Sequence, residues 1–337
     1  MIITKTPFRM SFFGGGTDIE SFFRENEGAV LSSTFDKYCY VNVRHLPRFF
    51  DYSTELSYVR TERVADVEEI EHPAIRNAMK MLDMHEIRLT YEADLPARSG
   101  LGTSSSFAVG MLNAFYALKG KYVDKRRLAD EAIYLERVLC KEDGGWQDQI
   151  AASFGGFNRI TFGPDGYEVN PVIIAPERKQ MLNENLLMYF TGFARFSSEI
   201  QKANAVERKS KTAQLREMHT LVYEAEKVLV DKTADLNDFG RMLDHTWHLK
   251  RSVGAAVSNH CIDELYEKGI KAGALGGKLL GAGGGGFLVF YVTPEYRESV
   301  QKAMNHLLYV PFKFENGGTR IIHYTPETYE PKAIADK

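Results

Sequence analysis

Residues 95–107 read LPARSGLGTSSSF, a glycine-rich turn that runs straight into three serines and then an apolar helical pattern. The stretch builds an anion site out of backbone. Gly100 and Gly102 let the chain turn tightly, with no Cβ to hold a ligand away. From Thr103 onward the pattern predicts a helix, with Phe107, Val109, Met111, Leu112, Phe115, Tyr116 and Leu118 supplying apolar contacts. A helix start presents free N–H groups and a partial positive charge, and both favour phosphate. The hydroxyls of Ser104, Ser105 and Ser106 can add hydrogen bonds to phosphate oxygens or ligate Mg²⁺. Serine and threonine are also ordinary helix caps, so the rest of the chain has to decide between these readings.

The composition narrows the choice. At 337 residues, 44% hydrophobic and 26% charged, the chain has the balance of a soluble globular protein of one large or two ordinary domains. A net charge of −3 makes it no polyanion binder as a whole. Its Lys/Arg cluster at residues 202–212 (KANAVERKSKT) is interrupted by Glu207 and reads as a solvated helix face or loop, so no nucleic-acid partner is expected. Cys39, Cys140 and Cys261 are odd in number and far apart, which argues against a disulfide scaffold or a structural zinc site. No apolar run reaches membrane-spanning length, and the opening MIITKTPFRMSFF lacks the apolar core and cleavage site of a signal peptide. The expected setting is a reducing cytoplasm, with small molecules as partners and no membrane.

Strand and helix signals are mixed in the first half. Strands are predicted over residues 1–13, within 28–44, over 86–93 and near 156–162, with helices over 73–83, from 103 and over 124–139. After about residue 180 a short strand at 186–190 gives way to helical patterns at about 197–209, 212–231, 235–253 and 260–272. Residues 276–292 return to strand, turn and strand, and a helix at about 295–307 with strands near 309–314 and 319–324 complete the pattern. The expectation is an α+β fold of two lobes, residues 1–180 and 181–337, each a largely antiparallel sheet with helices, packed around a cleft.

Three further clusters carry chemistry. Residues 6–18 (TPFRMSFFGGGTD) end a strand in three glycines and display Asp18, which can accept two hydroxyls of a sugar or cap the next helix. Residues 278–287 (KLLGAGGGGF) satisfy G-x-G-x-x-G at Gly281, Gly283 and Gly286, but a strand follows and the position lies late in the chain, so a dinucleotide-binding reading is rejected. Leu279 after Lys278 likewise breaks the Walker A pattern. The segment reads as a glycine loop that lies under a ligand or another backbone. Residues 136–156 (ERVLCKEDGGWQDQIAASFGG) place Glu136 late in one helix and Asp148 early in the next, where carboxylates can hold a metal and orient a nucleophile, or simply pair and cap. His245 and His248 lack the zinc-helix spacing, and Trp247 and Lys250 beside them are candidate substrate contacts.

In this order the glycine clusters resemble the motifs of the GHMP kinase superfamily over nearly the whole chain. Residues 6–18 look like its first motif, 95–107 its second and 278–287 its third. The variants are most similar to the branch that acts on D-glycero-D-manno-heptose 7-phosphate, through GGGTD, the GGWQDQ of residues 144–149, the FGGF of 154–157 and the GALGGKLLGAGGGGF of 273–287. The resemblance implies an ATP-dependent sugar kinase with Mg²⁺ as cofactor. Gly100, Leu101, Gly102, Thr103, Ser104, Ser105 and Ser106 would wrap the ATP phosphates, and Ser104 and Glu136 would hold the metal. Asp148 would orient, and can deprotonate, the anomeric hydroxyl, while Arg9 would stabilise the attacking oxygen or the transferred phosphate. Gly15, Gly16, Thr17, Asp18, Gly283 and Gly284 would line the sugar. Arg9 stands where some members have lysine, and since arginine does not carry protons its role would be electrostatic. A distal phosphate would need cations, for which Lys250, Arg251, Arg44 and Arg48 are the candidates. The competing readings are a C1 kinase of an unphosphorylated sugar such as fucose or galactose, an inactive binding protein on the same fold, and decarboxylation of a phosphorylated intermediate. The set Arg9, Ser104, Glu136 and Asp148 argues against the inactive protein, and the sugar-type first motif argues against the decarboxylase.

Overall fold

The computed structural model describes residues 1–97, 99–192 and 211–326. The helix predicted at 197–209 and most of the basic cluster at 202–212 lie outside the described residues. The chain opens with β1 (Ile2–Phe13), α1 (Glu20–Phe23), β2 (Gly28–His45), β3 (Thr54–Ser57), β4 (Thr61–Val64), α2 (Pro73–Met81), β5 (Ile87–Ala93) and α3 (Thr103–Leu118). It continues through α4 (Lys125–Ile133), α5 (Gln147–Phe154), β6 (Phe157–Gly163), β7 (Gly166–Pro171), α6 (Pro176–Asn185) and β8 (Leu186–Phe190). The last third holds α7 (Thr212–Val230), α8 (Asn237–Val253), α9 (His260–Lys271), β9 (Gly276–Leu279), β10 (Phe287–Tyr291), α10 (Arg297–Ala303), β11 (Leu308–Tyr309), β12 (Phe314–Glu315) and β13 (Arg320–Tyr324). Local signals set several starts: Pro73 occupies the first position of α2, and Asp124 and Asn259 cap α4 and α9 by accepting from Arg127 N and Ile262 N.

Two sheets result. The first has nine strands along β13-β1-β2-β5-β3-β4, with β6, β7 and β12 joined through β2. β2 is 18 residues long and serves two neighbours on one side, β6 along its first part and β5 along its second. Within this sheet only β3 against β5 is parallel among the described pairings. The second sheet, β11-β8-β10-β9, is antiparallel throughout. The fold is the two-lobed α+β arrangement expected from the sequence, with a correction to the lobe boundary. β12 and β13 return to pair with β2 and β1, so residues 181–337 do not form one separate lobe.

β1 is the strand on which the lobes meet. Helices α3 and α5 pack against it from the first lobe, and α7 and α8 from the second. Its two faces divide the work, as a period of two requires. Phe8, Met10 and Phe12 enter the core shared by both lobes, whereas Arg9 and Ser11 line the cleft. α3 is buried along its length except at Ser104, and it is accordingly apolar nearly all round. It approaches β1 closely enough for Thr4 Oγ1 to donate to Gly110 O at 3.0 Å.

Phe12 stacks on Phe157 of β6 at 5.6 Å and meets Phe239 of α8 edge-on at 5.4 Å, so a single ring ties the lobes together. Phe12→Ala is expected to destabilise the protein by about 3–5 kcal/mol, the range for an emptied buried aromatic site. Urea titration checks it, and a loss below 1 kcal/mol, on the order of a surface change, would show that the ring is not the tie.

Candidate active site

The cleft lies where β1, the start of α3, α5, α8 and the loop after β9 converge. α3 begins at Gly102, whose φ of 73° is a left-handed conformation, and no side chain caps the helix. The serines are turned to other partners. Ser104 and Ser105 each donate to Glu136 at 2.7 Å, and Ser106 donates to Pro7 O at 2.9 Å. Ordinary capping is thus set aside, and the helix start faces the cleft through Gly102, Thr103 and Ser104. Leu101 is fully buried, its carbonyl accepting from Arg9 N at 3.1 Å.

The glycine loop after β9 supports this turn from below. A Cβ on Gly100, whose φ is +80°, would stand 2.4 Å from Leu280 O, and one on Gly281 would stand 2.3 Å from Gly100 Cα. The two loops therefore run backbone against backbone, an approach that only glycine allows. Gly281 and Ala282 line the cleft, but Gly283 and Gly284 do not, and Gly284 N donates to Val257 O at 3.0 Å. The two glycines brace the loop against Val257.

Arg9 and Asp148 form the polar centre. Arg9 Nε and Nη2 donate to the two carboxylate oxygens, both at 2.8 Å, and Nη1 donates to Gly100 O at 2.6 Å. Such a fork is among the strongest and most geometrically fixed contacts available to side chains. Arg9 is 4% exposed, while Asp148 keeps access to the cleft. Asp148 reaches this position because Gly144 and Gly145 interrupt the chain and α5 restarts at Gln147.

Glu136 is 1% exposed and also accepts from Gln149 Nε2. It sits in residues 134–139, where the continuation of α4 widens into a π-helix, and Arg137 beside it lines the cleft. Asp18 accepts from Gly16 N at 2.9 Å and from Gln147 Nε2 at 3.0 Å. It does not cap α1, whose cap position is Ile19. Burial pushes the Asp18 carboxyl above its ordinary range, and the nearby Asp148 pushes it the same way. Gly15 and Gly16 line the cleft, while Thr17 is buried and donates to Gly14 O and Ala29 O, both at 2.8 Å. Ser11 Oγ and Gln147 Oε1 are buried in the cleft wall without a hydrogen-bond partner among the described residues.

Two ammonium groups from the second lobe complete the wall. Lys278 is 2% exposed and donates to Phe12 O at 2.6 Å. Lys250 donates to the carbonyls of Gly281 and, at 3.4 Å, Leu279. Desolvation lowers Lys250 to about 8, with Arg9 adding repulsion. Lys278 is pushed well below its ordinary value by burial, then by Lys250 and Arg9. Of the four cations suggested for a distal phosphate, only Lys250 lines the cleft. Arg251 pairs with Asp263, Arg48 pairs with Glu86, and Arg44 lies on β2 away from the cleft. Trp247 is fully buried against Tyr266 and does not line the cleft. His245 and His248 pair with Glu217 and Asp244. The reading of the sequence overlooked Ser11, Arg137, Gln147 and Lys278 as wall residues. Ser11 follows from strand alternation with Arg9, and Gln147 and Arg137 adjoin residues already singled out. Lys278 had been weighed only as a Walker lysine.

Known proteins resemble this chain in sequence and in fold. The GHMP kinases N terminal domain matches residues 69–156 and the GHMP kinases C terminal domain matches residues 225–310. The D-glycero-alpha-D-manno-heptose 7-phosphate kinase of Campylobacter jejuni is 31% identical over 90% of this chain and 93% of its own length. The bifunctional fucokinase/GDP-fucose pyrophosphorylase of Arabidopsis thaliana is 26% identical over 58% of this chain and 19% of its own. In fold, the chain superimposes on a D-glycero-D-manno-heptose 1-phosphate kinase from Bacteroides thetaiotaomicron with a TM-score of 0.77 at 23% identity, covering 98% of this chain and 100% of the other.

Gly100→Ala forces a side chain into a left-handed residue and against Leu280 O. A cost of roughly 1–3 kcal/mol is expected, together with faster amide hydrogen exchange confined to residues around 99–104 and 280–286. Unchanged exchange in both loops would show that their contact is not held by the missing Cβ.

Proposed function

The chain belongs to the GHMP kinase family, and on that premise we propose that it is a Mg²⁺- and ATP-dependent sugar kinase acting on the anomeric (C1) hydroxyl of D-glycero-D-manno-heptose 7-phosphate. The observation that carries the reading is the Arg9–Asp148 fork set beside an uncapped helix start. It brings a hydroxyl acceptor, a cation and a phosphate cradle to one place. Phosphoryl transfer asks mainly for positioning and charge neutralisation, and these groups supply both.

In this reading the amides at the start of α3 bind the phosphates of ATP. Asp148 keeps a second lone pair on each oxygen after taking the guanidinium, so it can accept the sugar hydroxyl and hold it in line. The acceptor oxygen forms its bond to the γ-phosphorus, the bond to the ADP oxygen breaks, and the hydroxyl proton passes to Asp148. An anomeric hydroxyl is more acidic than an ordinary alcohol, so a weak base suffices. Asp18, Ser11 and Gln147 offer the polar atoms that would fix the remaining hydroxyls. Ser104 Oγ and the Glu136 carboxylate 2.7 Å from it are hard oxygen donors beside the phosphate cradle, a set that fits Mg²⁺ shared with substrate phosphates. Bound there, the ion would neutralise charge on the triphosphate.

A phosphorylated acceptor is supported by the extent of the likeness. The named heptose kinase relative covers nearly the full chain, whereas the fucokinase match covers little more than half. A panel of D-glycero-D-manno-heptose 7-phosphate, its 1-phosphate isomer, free heptose, fucose and galactose, assayed for Mg²⁺-dependent ADP release, is expected to respond only to the 7-phosphate and to yield the 1,7-bisphosphate by phosphorus NMR. Turnover of free fucose or galactose would overturn the choice of acceptor.

Asp148→Asn is expected to lower kcat by on the order of 10²-fold or more, within the range for a lost general base. KM for the sugar should change little. Near-normal turnover would remove Asp148 from the mechanism.

A further inference from the structure

Arg9 is heavily committed within the protein. Three of its N–H groups go to Asp148 and to Gly100 O, which leaves two for a ligand. The same corner receives a second cation from the other lobe. Lys250 lies in the last turn of α8, where the helix dipole favours positive charge, and its ammonium donates to Gly281 O. Gly281 in turn lies directly against Gly100, the residue whose carbonyl takes the third bond of Arg9. The guanidinium and the ammonium thus converge on one pair of stacked glycines at the mouth of the phosphate cradle. The contacts of Lys250 are backbone carbonyls, and it forms no ion pair with a carboxylate among the described residues. A desolvated cation held beside other cations is costly unless an anion joins it.

We propose that Lys250 is a catalytic residue that contacts the transferring γ-phosphoryl group from the second lobe, sharing with Arg9 the charge of the transition state. The inference rests on the kinase reading and deepens it. Lys250 turns phosphoryl transfer into an event sensed by both lobes, because its helix α8 also packs against β1, the strand that carries Arg9. The lowering of its ammonium to about 8, caused by burial and then by Arg9, fits a group waiting for an anion. The charged groups that share the cleft with it are Arg9 from β1, Asp18 from the following loop, Arg137 and Asp143 from the segment before α5, Asp148 from α5 and Lys278 from β9.

Calorimetry on the full chain with Mg²⁺ separates this role from the others. Lys250→Met should weaken binding of a non-hydrolysable ATP analogue carrying a γ-phosphate by about 10-fold or more, the loss for one charge-assisted contact, while binding ADP as wild type does. Retained ADP binding also reports a folded cleft. Equal affinity of wild type and Lys250→Met for the ATP analogue, or a loss seen only with the sugar phosphate, would overturn the assignment. Wild type that binds neither nucleotide would instead sink the kinase reading itself, and this proposal with it.

The pH profile supplies a second readout. For wild type, kcat/KM should fall as pH rises through about 8, because the free enzyme then loses the ammonium charge. Lys250→Arg, whose guanidinium stays protonated, should abolish that alkaline limb even if its rate is lower, and Lys278→Met should keep it. A limb that persists in Lys250→Arg, or that vanishes in Lys278→Met, would assign the titration elsewhere and refute the proposal.

Discussion

Arg9 joins three segments that are far apart in sequence: the first strand, the turn before α3 and the start of α5. Its guanidinium is planar and always charged, so it fixes Asp148 by two parallel bonds and the turn by a third. The main chain repeats the tie, since Arg9 N donates to Leu101 O. Removing the side chain would leave Asp148 free to rotate and the Gly100 carbonyl without its donor. The position of the Asp148 carboxylate and the shape of the turn before α3 are therefore set by one residue. It can do so only because β1 is itself packed by helices from both lobes.

The glycine loops make this arrangement possible at a second level. The turn at 99–102 and the loop at 280–286 press backbone on backbone, and a methyl group on either side would part them. This contact also delivers Lys250 to the corner occupied by Arg9, through the Gly281 carbonyl. The cleft thus has one wall from each lobe, with a carboxylate fixed on one and ammonium groups on the other. Mutual repulsion among Arg9, Lys250 and Lys278 and desolvation of the Asp18 carboxyl are costs the folded chain carries without ligand.

Much of this was legible in the chain. The glycine–serine turn marked the start of α3, the two carboxylates stood out by their place at helix ends, and periodicity marked most strands and helices. The resemblance to a kinase family singled out Arg9, Asp148 and Asp18, which line one cleft, and Glu136, which lies buried behind it and accepts from Ser104. Other residues were not legible. Lys278 sits inside a strand that reads as purely structural, and its cleft position depends on a carbonyl 266 residues away in sequence. Gly283 and Gly284 share the glycine signature of their neighbours but turn toward Val257, a choice made by packing. Trp247 and Lys250 are three residues apart on α8, yet one is core and the other faces the cleft, because Tyr266 and its surroundings cover the first.

By itself the sequence determined what depends on local order: where glycine permits tight turns, which stretches alternate or recur at helical spacing, and which charged residues sit at helix ends. Only the tertiary structure decided which of those charges meet. The return of β12 and β13 to the first sheet, the pairing of Arg9 with Asp148 and the convergence of Lys250 on the same glycines all join distant segments. Such contacts are fixed by the packing of two lobes on a shared strand, a long-range property that no window along the chain contains.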